Sequence, residues 1–232
     1  MLHTDGRMTD PLEFVFFDIG GVMYDDRVYA LAWRRALREA GAGFNDAAFE
    51  REYAAARKEQ NGSFRRRLTD RFLGPRANLA ELERVAARYW SYPTGALLDD
   101  VRPCLEALSG RYRLGVIANQ PRTVRSVLDR DGLAGFFEVW GVSEDLGVQK
   151  PDPQLFRLTL QTAGVAGSGA VMLGDRLDYD MRPAREAGMR TVWVLRGEAP
   201  DEPSAAQLAE ADAAISGLDE LPSVLERWSA PS

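Results

Sequence analysis

The stretch Phe14-Val15-Phe16-Phe17-Asp18-Ile19-Gly20-Gly21-Val22-Met23 decides the fold. Its first four residues are apolar, as in a parallel strand that is buried on both faces. The apolar run ends at an acid followed by paired glycines, which places Asp18 at the C-terminal tip of the strand. Ligands of open α/β sheets bind at the carboxyl ends of the strands, so Asp18 is a candidate nucleophile or metal ligand. An Asx turn that only caps the strand accounts for the same residues.

Composition limits the class of protein. The chain has 232 residues, 45% hydrophobic and 28% charged, which is typical of a soluble globular protein and leaves room for an α/β core with a small insertion. Its formal net charge of -6 argues against nucleic acid as a partner, because no surplus of cations is available to displace the counterions of phosphates.

Several kinds of site are excluded by counting residues. Cys104 is the only cysteine and His3 the only histidine of the sequence. A disulfide within the chain, a Ser-His-Asp triad, a Cys-His dyad and a histidine-built metal site are therefore unavailable. No apolar run has the length of a signal peptide core or of a membrane span, so we expect a cytoplasmic protein with no membrane partner.

The chain divides by its hydrophobic periodicity. Residues 1–11 are predicted to be a flexible leader, and residues 12–25 and 96–232 an α/β core. Residues 26–95 are rich in Ala, Arg, Glu and Leu, with apolar residues at helical spacing and with glycine-containing breaks, which predicts three or four helices and no strand. A helical block of this length directly after the first strand is typical of a small inserted bundle.

Strands and helices alternate after this block. The predicted strands are 112–118, 136–142, 170–173, 191–195 and 213–215, and the predicted helices are 101–109, 123–130, 153–163, 182–188 and 218–228. Alternation of this kind implies right-handed crossovers and a three-layer, mostly parallel, Rossmann-like sheet.

Polar residues follow three of these strands. Asp18, Asn119 and Asp175 stand at predicted strand tips, and Lys150 lies on a proline-rich loop just before a helix. If the strands are neighbours, these groups meet in one crevice, and a divalent cation would offset the cost of burying two carboxylates. Asp180 follows on the turn after Asp175, where it serves as an outer ligand or caps the next helix; the same alternatives apply to Asp178.

Four segments together resemble a known family. Asp18 to Val22, the strand that ends at Ala118-Asn119, the loop Gly147 to Pro153, and Gly174-Asp175 through Asp180 to Gly188 resemble, in order and spacing, the four motifs of the haloacid dehalogenase-like hydrolase superfamily. The helical block resembles the small α-helical cap of the subgroup that includes phosphatases, phosphoglucomutases and dehalogenases.

The resemblance implies roles for individual residues. Asp18 would form an aspartyl-phosphate, and Lys150 would neutralise both Asp18 and the transferring phosphoryl group. Asp18, the carbonyl of Gly20, Asp175 and Asp180 would form the Mg²⁺ site, with Asp180 orienting the metal shell or Lys150.

The same resemblance implies a substrate-binding group, for which the candidates are Gly21, Asn119 and Gln120.

The sequence departs from the family pattern at two positions. Family phosphatases usually carry a second Asp two residues after the nucleophile, as an acid for the leaving group, and this chain has Gly20 there. The second motif usually ends in a Ser or Thr whose hydroxyl hydrogen-bonds the phosphate, and Ala118 stands at that position here. Asn119 would then have to supply part of this hydrogen bonding. We therefore expect a preference for good leaving groups, as in acyl, aryl or anomeric sugar phosphates. Near the start of the insert, Asp26 and its neighbours Tyr24 and Asp25 are candidates for two roles. They would either replace the missing acid of the leaving group or cap the first helix.

Three functions fit these residues. A Mg²⁺-dependent phosphatase of a small phosphorylated metabolite uses all the motifs. A dehalogenase would use Asp18 on carbon without a metal, and a catalytically silent binder of a phosphorylated ligand or protein would explain Gly20 and Ala118. Monomer and homodimer both remain open. The run Arg65-Arg66-Arg67 is either a solvated helix face or a clamp for the substrate.

Overall fold

The computed structural model describes residues 11–229, so residues 1–10 of the predicted leader lie outside the described part. Six parallel strands form one sheet in the order β3-β2-β1-β4-β5-β6. The strands are β1 (Phe14–Phe17), β2 (Arg113–Ala118), β3 (Phe137–Val142), β4 (Ala170–Gly174), β5 (Arg190–Val194) and β6 (Ala213–Ile215). The predicted parallel α/β architecture is confirmed.

Helices cover both faces of the sheet and form the block after β1. In chain order they are α1 (Arg27–Glu39), α2 (Asp46–Glu59), α3 (Phe64–Phe72), α4 (Leu79–Ala86), α5 (Val101–Ser109), α6 (Val124–Arg130), α7 (Ser143–Leu146), α8 (Pro153–Ala163), α9 (Arg182–Glu186), α10 (Ala205–Leu208) and α11 (Leu221–Ser229). Shorter turns are 3₁₀-helical at Ala134–Phe136, Gly167–Gly169 and Leu218–Glu220, and π-helical at Leu177–Met181.

Strand β1 lies at the centre of the sheet because its residues suit burial on both faces. All four are fully buried, and Phe17 pairs with Val116 of β2 and Leu173 of β4. Gly115 of β2 leaves room for a neighbouring ring, since a Cβ there would lie 2.5 Å from an atom of the Phe16 ring. The central position of β1 brings its C-terminal end between those of β2 and β4, which is where the three polar strand tips were predicted to meet.

Helices α1–α4 form an insert with its own apolar core, which contains Trp33, Leu37, Phe49 and Leu68. Three of these helices begin at an Asn or Ser whose side chain accepts a hydrogen bond from the first turn, which satisfies backbone groups that would otherwise have no partner. The two chain segments that join the insert to the core lie side by side, and Tyr24 forms an antiparallel bridge with Leu97.

Candidate active site

A cavity of about 510 Å³ lies at the carboxyl ends of β1, β2 and β4. Most of the residues that the sequence singled out line it together: Asp18, Gly20, Asn119, Gln120, Lys150, Asp175 and Asp180. The insert contributes Ser63, Phe64 and Arg65 to the same cavity. Gly21 is not among the lining residues, and its N–H donates a hydrogen bond to the carbonyl of Tyr24 (2.9 Å).

Lys150 joins two of the acids. Its Nζ lies 2.9 Å from Oδ1 of Asp18 and 2.6 Å from Oδ1 of Asp180, and its side chain is only 3% exposed. Burial lowers the pKa of Lys150, but Asp18 and Asp180 outweigh burial and raise it above the ordinary value. The amine therefore carries a positive charge at neutral pH and balances the carboxylate of Asp18.

The acidic cluster fits a divalent cation. Carboxylate oxygens of Asp18, Asp175 and Asp180 lie within 4.8 Å of one another. Burial, together with the charges of Asp180 and Glu198, raises the pKa of Asp175 well above its usual range. Burial also outweighs the ion pair with Lys150 and raises the pKa of Asp180 to about 6. Hard oxygen donors that are buried against one another form the kind of ligand set that Mg²⁺ takes.

Two glycines allow Asp175 to sit at this depth. A Cβ at Gly21 would lie 2.0 Å from Oδ2 of Asp175, and one at Gly197 would lie 2.3 Å from the same atom. Both glycines have positive φ (69° and 61°), which side-chain-bearing residues rarely adopt. The second glycine of the Asp18 motif therefore packs directly against the acidic cluster.

Asn119 holds the backbone of Lys150. Its Nδ2 donates to the carbonyl of Lys150 (2.9 Å), and its Oδ1 accepts from the Lys150 N–H (2.7 Å). The adjacent Gln120 donates through Nε2 to the hydroxyl of Tyr92 (3.3 Å). The side chain of Asn119 thus positions Lys150 across the gap that separates β2 from the Gly147–Pro153 loop.

The family model for haloacid dehalogenase-like hydrolases matches residues 12–188. The chain belongs to this family. A glyceraldehyde 3-phosphate phosphatase from Methanopyrus kandleri is 31% identical over 202 residues, which are 82% of this chain and 87% of that protein. A phosphoserine phosphatase from Thermus thermophilus is 46% identical over 85 residues, and the match spans only 34% of that protein.

Solved structures agree with this membership. The crystal structure of a haloacid dehalogenase-like phosphatase from Thermococcus onnurineus superposes with a TM-score of 0.59 at 25% identity, covering 92% of this chain and 98% of that one. Among residues 11–229 of this hydrolase, no helix is both long enough and apolar enough to cross a membrane.

In this haloacid dehalogenase-like hydrolase, Asp178 neither caps α9 nor joins the acidic cluster. Its carboxylate pairs with Arg176 (2.8 Å) and accepts from the N–H of Gly62 in the insert (2.7 Å). Arg176 in turn pairs with Glu198 (2.5 Å), and both residues line the cavity. Sequence reasoning missed Arg176 and Glu198 because neither belongs to a motif that the sequence analysis used. Arg176 directly follows Asp175, and this adjacency is the signal that could have found it.

The structure shows where the arginine run and Asp26 lie relative to the cavity. Of the arginine run, Arg65 faces the cavity and pairs with Glu83 (2.9 Å), whereas Arg67 pairs with Glu59 on the insert surface (2.5 Å). Asp26 precedes α1 but makes no side-chain cap hydrogen bond, and it lines the cavity instead. Burial, with the charges of Glu198 and Asp18, raises the pKa of Asp26 well above its ordinary range.

Proposed function

We propose that the chain is a Mg²⁺-dependent phosphatase that acts on a small phosphorylated metabolite through an aspartyl-phosphate on Asp18. This proposal rests on one observation. Asp18, Lys150, Asp175 and Asp180 lie together at the carboxyl ends of three neighbouring parallel strands. The names of the Methanopyrus and Thermus relatives, both phosphatases of small metabolites, support the reaction class.

The reaction has two displacements at phosphorus. A carboxylate oxygen of Asp18 attacks the phosphorus, and an acyl phosphate forms on Asp18 as the bond to the leaving oxygen breaks. The leaving oxygen departs with the bonding electrons and takes its proton from water. Water then attacks the same phosphorus, releases inorganic phosphate and regenerates the carboxylate. Lys150, 2.9 Å from Asp18, holds the nucleophile in place and balances the negative charge that the phosphoryl group brings.

The metal would be held by Asp18, the carbonyl of Gly20, Asp175 and Asp180. When bound, Mg²⁺ supplies positive charge to the phosphoryl oxygens. Residues 26–95 would act as a cap, because Ser63, Phe64 and Arg65 of the insert line the cavity together with the residues at the strand ends and would exclude water from it.

The missing side chain at Gly20 bears on the choice of substrate. An acid that protonates the leaving group contributes typically about 10²–10⁴-fold to the rate. Without an acid at position 20, substrates whose leaving group departs readily, such as acyl, aryl or anomeric sugar phosphates, lose less than simple alkyl phosphates.

Release of phosphate from acetyl phosphate and para-nitrophenyl phosphate tests the proposal. We expect turnover with added Mg²⁺, and none with a chelator or in Asp18→Asn, which keeps the shape of the side chain but removes the nucleophile. Folding of the variant is checked by its circular dichroism spectrum and thermal unfolding.

The same assay separates the rival functions. Phosphate release that survives both controls would exclude Asp18 and the metal from the reaction. Absence of turnover in folded protein would favour the silent binder, and release of halide from a 2-haloacid that is insensitive to the chelator would identify a dehalogenase.

A further inference from the structure

The space beside Gly20 is already filled. A Cβ built on Gly20 would lie 2.6 Å from Oδ1 and 2.9 Å from Cγ of Asp26. These separations are shorter than real Cβ contacts, so a side chain at position 20 and the observed carboxyl group of Asp26 exclude each other. A residue six positions along the chain therefore brings a carboxyl group to the side of the cavity where position 20 offers none.

Tyr92 holds Asp26 in this orientation from the segment that leads from the insert back to the core. The hydroxyl of Tyr92 donates to its Oδ1 (3.3 Å), and Gln120 donates to that hydroxyl (3.3 Å). The ring of Tyr92 is buried and stacks on Tyr24 with ring centroids 4.5 Å apart. Within the described chain, this arrangement engages one oxygen of Asp26 and leaves the other to contact a ligand in the cavity.

Within residues 11–229, the lining of the cavity offers no unpaired cation. Seven side chains with a carboxyl group and three cationic side chains line it, counted among the described residues, and Glu144 is itself paired with Arg122 (3.5 Å). The three cations are already paired: Lys150 with Asp18 and Asp180, Arg176 with Glu198, and Arg65 with Glu83. A second negative group on the substrate would meet carboxylates without a cation to spare.

The remaining lining suits a polar, uncharged group. Ser63 and Gln120 offer hydroxyl and amide groups, and Tyr29 and Trp90 offer aromatic surface for the apolar faces of a ring. A carboxyl group makes a hydrogen bond to a hydroxyl whether or not it carries a proton. Hydroxyl groups are therefore the partners that this mixture of carboxyl, amide and aromatic side chains recognises.

We propose that the leaving group carries no charged substituent and bears hydroxyl groups, as in the 1-phosphate of a neutral sugar, and that Asp26 hydrogen-bonds one of those hydroxyl groups. This inference rests on the proposed phosphatase activity and names its substrate class. The carboxyl group of Asp26, which fills the space beside Gly20, then contributes to the choice of substrate through this hydrogen bond.

A matched pair of substrates tests the charge selection. Glucose 1-phosphate and glucuronic acid 1-phosphate differ only in the carboxylate at carbon 6 of the sugar. We expect kcat/KM to be higher for glucose 1-phosphate, or for another neutral aldose 1-phosphate over its uronic acid partner, by about tenfold or more. Equal or faster turnover of the uronic acids would overturn the inference, as would failure to hydrolyse any of these sugar phosphates by protein that hydrolyses acetyl phosphate.

Substitution of Asp26 tests its contact. Asp26→Ala should lower kcat/KM for the neutral sugar phosphate by about tenfold, because a substrate hydroxyl loses its hydrogen-bond partner, and for acetyl phosphate by less than about threefold. Asp26→Asn retains an oxygen acceptor and should recover part of the loss. Asp25→Ala is the matched control, because Asp25 is exposed and its carboxylate accepts from the N–H of Arg27 (2.9 Å).

The outcomes separate the two proposals. An equal loss on both substrates in Asp26→Ala would make Asp26 a general support of the site and contradict the inference. Wild-type protein that does not hydrolyse acetyl phosphate with Mg²⁺ would instead refute the proposed function itself.

Discussion

Asn119 holds the backbone of Lys150, the lysine that we propose balances the charge of Asp18 and of the phosphoryl group. Its side chain both donates to and accepts from the backbone of Lys150. Asn119→Ala leaves both backbone groups without these partners, and we expect a loss of about 1–3 kcal/mol in the free energy of unfolding. Turnover of acetyl phosphate should fall with it, because the Nζ of Lys150 is no longer held beside Asp18.

Denaturant unfolding and steady-state kinetics measure the two effects of this substitution. Asn119→Asp is the second variant, because it keeps the acceptor for the Lys150 N–H but places a carboxylate oxygen against the Lys150 carbonyl that Nδ2 of Asn119 contacts. It should therefore remain less stable than wild type. An unchanged unfolding midpoint in Asn119→Ala would contradict the assigned role.

At the scale of elements, the turn between α2 and α3 joins the insert to the core. Gln60 is fully buried there, in a left-handed conformation with φ of 49°. Its Oε1 accepts from the N–H of Leu177 (2.8 Å), and its Nε2 donates to the carbonyl of Glu198 (2.7 Å). Glu198 itself lines the cavity, and Leu177 lies two residues after Asp175, which lines the cavity as well.

Replacement of Gln60 should loosen this junction. Gln60→Ala leaves the Leu177 N–H and the Glu198 carbonyl without these bonds, and we expect the free energy of unfolding to fall by about 1–3 kcal/mol. Lys58→Ala, at an exposed position of the same helix end, should change it by less than about 0.5 kcal/mol. Urea denaturation of the three proteins provides the comparison. Equal stability of Gln60→Ala and wild type would show that the hydrogen bonds of Gln60 do not stabilise the contact between the insert and the core.

Elements were predicted well where a local pattern defines them. The helix Pro153–Ala163 was predicted to the residue, because Asp152 caps it, Pro153 suits its first turn and Gly164 ends it. Strand β5 begins and ends one residue earlier than predicted. Apolar residues mark the buried interior of a strand, whereas its ends depend on pairing with neighbouring strands, which periodicity does not record.

At the scale of the whole molecule, the order of the strands was the condition on which the predicted site depended. The parallel sheet with β1 between β2 and β4 confirms that condition, and Asp18, Asn119 and Asp175 line one cavity. Asp26 and Glu198 could not be assigned in this way. Their carboxyl groups reach the cavity through contacts between segments far apart in sequence, such as that of Asp26 with Tyr92.

We expect the buried acids to make the stability of the whole molecule depend on pH and on the proposed binding of Mg²⁺. The pKa of Asp180 is raised to about 6 and that of Asp175 lies well above its usual range, so the folded protein binds more protons than the unfolded chain at mildly acidic pH. Without metal, the contribution of Asp180 to stability is therefore present below the unfolded pKa, near 4, and is lost as the pH rises through about 6, and the raised pKa of Asp175 acts in the same direction. Mg²⁺ requires the deprotonated carboxylates and should offset that loss.

We therefore expect added Mg²⁺ to raise Tm more at about pH 7.5 than at about pH 5, where protons compete for the same oxygens. At a concentration of about one hundred times Kd, the gain in stability would be about 2.7 kcal/mol. Thermal unfolding with MgCl₂, compared with KCl at equal ionic strength, separates binding from screening of surface charge. Asp175→Asn should abolish the difference between the two salts. A Tm shift that is independent of pH, or that persists in this variant, would place the binding of Mg²⁺ outside the acidic cluster.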